Sequence, residues 1–390
     1  MPGHARAADA AKRLLHTASR HMMTADPTSD GIMTRALDQS LDWSLDDASL
    51  RPIAGRAFEP SFSETEKRAL AYQVQPVGRS ISPTDQRDIS NEAARSLIHR
   101  HFGNAPLRWY DERAEGHVGR YGHSAALGAR YSVGLDTGGL REVSAHYEWG
   151  PSLTGLLPGP VMTLANIALQ HMPGLLPFST TIRTSAMSGG QQITFEIPQE
   201  TRLDDFKPLM EALGMGARHG GFTTLLAFVL GARFSLPPSV ATLTLLNTHQ
   251  GPEMRLDVNI DALPDTPEQL LPLLRLPMTE RPQNLAALDR WMTAMTPDGY
   301  YGPGAVTVLS VRVRPELPAR LALFLRPVAL NGEAPAEAVQ PAPQPALQTP
   351  AAASQSWRGA HGQAAGYTNG QGRTGWQGHG AQMPAPPGYH

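Results

Sequence analysis

Between residues 129 and 327 one pattern recurs four times: apolar and polar residues alternate, a Gly- or Pro-containing turn follows, and the alternation resumes. A period of two belongs to a strand with two unlike faces, so each recurrence predicts an antiparallel hairpin. The hairpins are 129–136 with 141–149 around Thr137-Gly138-Gly139, and 179–185 with 191–197 around Met187-Ser188-Gly189-Gly190. The other two are 240–248 with 253–261 around Gly251-Pro252, and 305–313 with 319–327 around Arg314-Pro315-Glu316. Helical periodicity fills the intervals at 201–215, with Leu203, Phe206, Leu209, Met210 and Leu213 on one side, at 266–276 and at 287–295. Upstream, 63–74 and 91–102 read as helices, and residues 1–23 as a basic helix with Ala, Leu and Met on one face.

Hairpins interleaved with helices define an α+β protein of repeated αββα units. Two architectures satisfy the pattern: an open sheet covered on one face, or a closed antiparallel β-barrel with helices outside. Strand parity separates the faces. Arg183 falls with Ser179 and Thr181; Arg255 with Asp257 and Asn259; Arg312 with Ser310; Arg320 with Ala322 and Phe324. On an open sheet these arginines are solvated. In a barrel they converge on a polar lumen suited to an anion such as a diphosphate. On the first hairpin Glu148 shares a face with Ser144 and His146.

Composition excludes several alternatives. The chain of 390 residues has no Cys, so disulfide frameworks, thiolate metal sites and cysteine nucleophiles are ruled out, and a cytoplasmic location is the expectation. With 33 Lys+Arg against 35 Asp+Glu there is no net field toward nucleic acid, and no apolar run is long enough for a membrane span. Walker, G-x-S-x-G and H-E-x-x-H motifs are missing, and no metal site is expected. From about residue 331 Pro, Ala, Gln and Gly dominate, which predicts a disordered tail whose aromatics Trp357, Tyr367, Trp376 and Tyr389 offer contacts to a partner protein. The expected divisions are an N-terminal helical segment 1–60, a barrel domain 61–330 and the tail 331–390.

Two stretches, ARYSVGLDTGG and GPGAVTVLSVRVRPELPARLALFLRP, resemble the first and last hairpins of the ABBA aromatic prenyltransferases of the dimethylallyltryptophan-synthase class, and LNTHQGPEMRLDVNI resembles an interior one. The resemblance implies a PT barrel that moves a prenyl group, typically dimethylallyl, from its diphosphate to an indole-type acceptor, small molecule or peptide, by Friedel–Crafts alkylation, without metal or other cofactor. It places Arg130, Arg183, Arg255, Arg312 and Arg320 around the diphosphate. It also exposes departures. The family's first-strand glutamate aligns with Arg130, leaving Glu148 as its replacement and His146 beside it as a further candidate acid or base, and the tyrosines that shield the allylic cation are replaced at Thr194, Asp257 and Ala322. Tyr131, Tyr147, Tyr300 and Tyr301 are the candidates to compensate. The other reading is a non-catalytic barrel that binds a small anionic or aromatic ligand or a partner protein.

Overall fold

The structure, a computed structural model, describes residues 6–47, 49–50, 56–66, 68–78, 80–118, 128–148, 157–248, 251–264, 270–296, 306–327 and 330. The strands are β1 (Phe58–Ser63), β2 (Leu70–Val74), β3 (Ala129–Asp136), β4 (Gly139–Glu148), β5 (Leu176–Thr184) and β6 (Gly189–Glu196). A two-residue pair follows, β7 (Thr201–Arg202) and β8 (Ser235–Leu236), and then β9 (Ala241–Thr248), β10 (Gly251–Asn259), β11 (Val306–Val313) and β12 (Arg320–Leu325). Ten of them close into one antiparallel barrel in the order β1-β12-β11-β10-β9-β6-β5-β4-β3-β2.

Closure depends on a hairpin in the stretch 63–74, whose residues predict a helix. Residues 63–74 are the end of β1, a 3-10 turn at Glu64–Glu66 and the strand β2. The charged run after Ser63 is therefore a tight turn, and its neighbours alternate as strands do, with Phe58 and Phe62 outward and Glu59 and Ser61 inward. Pro60 is tolerated because β12 pairs only with Ser61–Ser63, so its missing N–H lies beyond that ladder. This is the fifth hairpin, and it joins β12 to β3 through β2. At the β3–β4 turn Gly139 adopts φ +120°, open to glycine but strained for other residues.

Helices cover the outer face. They are α1 (Ala7–Met22), α2 (Gly31–Ser40), α3 (Pro83–Phe102), α4 (Asn104–Val118), α5 (Gly159–His171), α6 (Lys207–Ala212), α7 (His219–Val229), α8 (Leu270–Arg275) and α9 (Pro282–Met295). The predicted 201–215 helix is in fact β7, a 3-10 turn and the short α6. Ser82 and Asp85 form a capping box that starts α3. The alanine-rich face of α1 packs on α9, and α9 presents Trp291 to Phe62, ring centroids 5.8 Å apart. The expected boundary at residue 60 falls within β1. The expected tail, 331–390, lies outside the described residues. No helix among the described residues is long and apolar enough to cross a membrane.

Two buried polar contacts tie the wrap to the barrel. Glu64, its side chain fully enclosed, accepts from Arg281 Nε at 2.9 Å, Asn284 Nδ2 at 2.9 Å and the Leu321 N–H at 2.7 Å. It fixes the β1–β2 turn to α9 and to β12. On the other side the His117 ring of α4 stacks on Tyr147 at 4.6 Å, with Nε2 3.3 Å from Thr180 Oγ1. Burial lowers the His117 pKa to about 4.

Glu64→Ala is expected to cost about 2–4 kcal/mol, read as a lower denaturant midpoint at unchanged m, because it strands donors that have left water. His117 predicts an acid limb of stability. Its folded pKa lies below the unfolded value near 6.5, so protonation favours the unfolded chain, and stability falls as pH drops from about 6.5 to about 4. Denaturation across that window should show a shallower decline in His117→Phe.

Candidate functional site

The antiparallel registers put all five hairpin turns at one end of the barrel and the helical connections at the other. Inside runs a cavity of about 450 Å³, within the range of ligand sites. At the turn end, Arg255 of β10 faces Arg312 of β11, which in turn faces Arg320 of β12. Arg183 and Arg141 complete a cluster that already contains carboxylates. Arg141 Nη2 bonds Glu66 Oε2 at 2.6 Å, Arg183 Nη2 bonds Glu142 Oε2 at 2.5 Å, and Arg255 Nε bonds Asp257 Oδ2 at 2.9 Å. Burial alone would raise the Glu66 carboxyl, but Arg312, Arg141 and Arg183 outweigh it and hold it below the usual carboxylate range. Arg312 has no carboxylate within salt-bridge distance among the described residues, and its buried Nε lacks a hydrogen-bond partner. It is the guanidinium best placed to receive an incoming anion.

Toward the other end the first strand contributes Glu59, 5% exposed and facing the cavity. Thr307 Oγ1 donates to its Oε1 at 2.8 Å and Gln73 Nε2 donates to its Oε2. Burial raises the Glu59 carboxyl above its usual range, and Thr307, Gln73, Arg130 and Arg56 only partly offset it. A carboxylate so placed can accept a hydrogen bond from a ligand N–H.

Between these ends lies a belt of hydroxyls. His146 joins Ser132 Oγ to Nε2 at 2.9 Å and Thr181 Oγ1 to Nδ1 at 2.8 Å. Burial, reinforced by Arg130, Arg255 and Arg183, holds His146 well below the ordinary imidazole value, so the ring is neutral at physiological pH. Thr194 and Thr244 pair at 2.9 Å, and Ser310 bonds Asp257. Among the described residues the aromatic lining is Tyr72, Phe178 and Phe324.

The structure therefore brings Arg130, Arg183, Arg255, Arg312, His146 and Glu148 to one cavity. Arg320, although on the inward parity, is not in the lining: it sits at the barrel rim, where Nη1 donates to the Ala319 carbonyl and Arg281 is near. Glu148 Oε2 already accepts from the Gly128 N–H at 2.5 Å, which closes the start of β3. Tyr131 and Tyr147 do not compensate for a missing aromatic lining. Their hydroxyls face outward, to Ser40 and to Tyr110 and Asn91. Tyr300 and Tyr301 lie outside the described residues. Glu59 was missed together with its hairpin, although the alternation Phe58-Glu59-Pro60-Ser61-Phe62 carried the signal.

Three further lining residues escaped parity for one shared reason. The register slips by one residue at Gly134/Leu135, at Pro177/Ser179 and at Val306/Val308. The extra residues are Arg141, Phe178 and Thr307, and each reaches the cavity that strict alternation would deny it.

A closed ten-strand antiparallel barrel with helices outside is the ABBA, or PT-barrel, fold. Solved structures agree over nearly their whole length. The 6-dimethylallyltryptophan synthase from Micromonospora olivasterospora, in complex with DMASPP and Trp, superposes with a TM-score of 0.68 at 14% identity, covering 84% of this chain and 98% of that one. The apo form of the prenyltransferase PriB gives 0.63 at 16% identity, with 84% and 97% covered. The 5-dimethylallyltryptophan synthase from Streptomyces coelicolor gives 0.60 at 14%, with 84% and 99% covered. No protein-family model matches the sequence, and no curated protein does. At these identities the likeness establishes the fold.

Inorganic diphosphate titrated calorimetrically is expected to bind at the turn end. Arg312→Ala should weaken it by about tenfold or more, the loss of one charge-assisted contact, whereas Arg320→Ala should change it by less than about twofold.

Proposed function

We propose that this protein is an aromatic prenyltransferase that moves a prenyl group, dimethylallyl in size, from its diphosphate to an indole-type acceptor by Friedel–Crafts alkylation. One observation carries the reading: a single cavity joins a buried first-strand carboxylate, Glu59, to a guanidinium cluster with an unpaired member, Arg312. PriB provides the parallel, having been solved with product diphosphate and with L-tryptophan and dimethylallyl thiolodiphosphate. The volume of about 450 Å³ favours a small-molecule acceptor over a peptide.

In this scheme Arg183, Arg255 and Arg312 face the diphosphate. The allylic C–O bond breaks, the electron pair leaves on the diphosphate oxygen, and the guanidinium groups stabilise that charge as it develops. Glu59 accepts the acceptor's N–H and pushes electron density into the ring, whose carbon then attacks the allylic cation. The ring proton lost afterwards goes to a base in the cavity. Glu59 takes the role first given to Glu148, whose oxygen is already engaged by Gly128. Arg130 acts beside Glu59, favouring its ionised form.

The pairing of Arg141, Arg183 and Arg255 to lumen carboxylates favours a second reading, a non-catalytic barrel that holds a small anionic or aromatic ligand. Turnover separates the two. Dimethylallyl diphosphate supplied with tryptophan or indole should yield a prenylated product by mass spectrometry. Glu59→Gln should lower kcat by about 10²–10⁴-fold while leaving diphosphate affinity intact. Because burial raises the Glu59 pKa, activity should fall on the acid side at a pH above the usual carboxylate range, and that limb should vanish in Glu59→Gln. Binding without product under all these conditions would establish the second reading.

A further inference from the structure

An allylic cation formed at the guanidinium cluster would meet oxygen, not aromatic faces. Arg183 pairs across the sheet with Ser144, and one inward-facing step along the same two strands Thr181 pairs with His146. The layer next to the cluster is thus Thr181, His146 and Ser132 on one wall, with Thr194 and Thr244 beyond. Such a layer is suited to holding water. Hydroxyls and a neutral imidazole keep polar valences directed into the cavity, and a polar cavity of this size is hydrated.

On that basis, and resting on the diphosphate reading above, we propose a further activity: hydrolysis of the allylic diphosphate to an allylic alcohol, with water captured in the Ser132–His146–Thr181 belt as the nucleophile. The bonds balance as follows. The C1–O bond breaks and its electron pair leaves with diphosphate; the water oxygen bonds to C1, or to C3 of the delocalised cation; and the resulting oxonium loses one proton. His146 provides the route. Its two ring nitrogens face two hydroxyls, so one hydroxyl donates to the unprotonated nitrogen, and a water donating to that hydroxyl's oxygen has a relay to the ring. The ring is a weak base, held neutral by burial and by Arg130, Arg255 and Arg183, but an alkyl oxonium is a strong acid and gives up its proton to it. Phe178 lies on β5 three residues farther from the turn than Thr181, and Phe324 lies on β12 four residues from Arg320, so neither belongs to the layer next to the cluster.

The experiment uses the full chain with dimethylallyl diphosphate in ¹⁸O-water, with and without tryptophan, following diphosphate release and the products by mass spectrometry. The expected result without acceptor is diphosphate release with ¹⁸O in a dimethylallyl alcohol and none in phosphate, since the carbon–oxygen bond is the one broken. Thr194→Phe, which places a ring face in the belt, should cut alcohol formation by about tenfold, about 1.4 kcal/mol of barrier, while dimethylallyl thiodiphosphate still binds. Prenylated tryptophan with no alcohol, and no diphosphate release without acceptor, would overturn the hydrolysis and leave the prenyltransferase reading standing. ¹⁸O in phosphate would overturn it by showing phosphorus–oxygen cleavage. Binding of the thiodiphosphate with no release under either condition would overturn both activities.

Discussion

Everything in the interior depends on the pairing of β1 with β12. Ser61–Ser63 against Phe324–Ala322 is a short ladder, yet it converts an open sheet, whose arginine face would be solvated, into a closed wall around a lumen. The charges on that face then change character. On an open sheet an exposed guanidinium interacts weakly through water; inside a barrel it is partly desolvated and must find a partner. The enclosed Glu64, held by Arg281, Asn284 and the Leu321 N–H, secures the turn from which this ladder starts.

The lumen answers the cost of enclosed charge by internal pairing. Carboxylates of Glu66, Glu142 and Asp257 sit on Arg141, Arg183 and Arg255, and leave Arg312 as the member of the turn-end cluster in the lining without a salt-bridge partner among the described residues. At the other end Glu59 is held by the donors Thr307 and Gln73, and burial weakens its acidity despite Arg130 and Arg56. Two carboxylates in one cavity, Glu59 and Glu66, are thereby driven in opposite directions, one by burial and one by arginines. That contrast separates an anion-receiving end from a hydrogen-bond-accepting end.

Much of this was legible beforehand. Period-two alternation locates four hairpins to within a few residues, and parity places Arg183, Arg255 and Arg312 on one face. The fifth hairpin was hidden because its turn is a charged, helix-favouring run and its strands are only six and five residues long. Glu59 was hidden with it. Arg320 failed for another reason: parity tells which way a side chain points, not how far along the barrel the lumen extends.

What the sequence by itself determined is the αββα repeat and the chemistry of the inward face, because both follow from local alternation that each strand carries alone. Tertiary structure decided the rest. Whether the sheet closes depends on contact between strands almost the whole domain apart in sequence. Which extra residues enter the lumen depends on one-residue slips in register between neighbours, and these bring in Arg141, Phe178 and Thr307. A slip is a property of two strands together, so neither strand's sequence displays it.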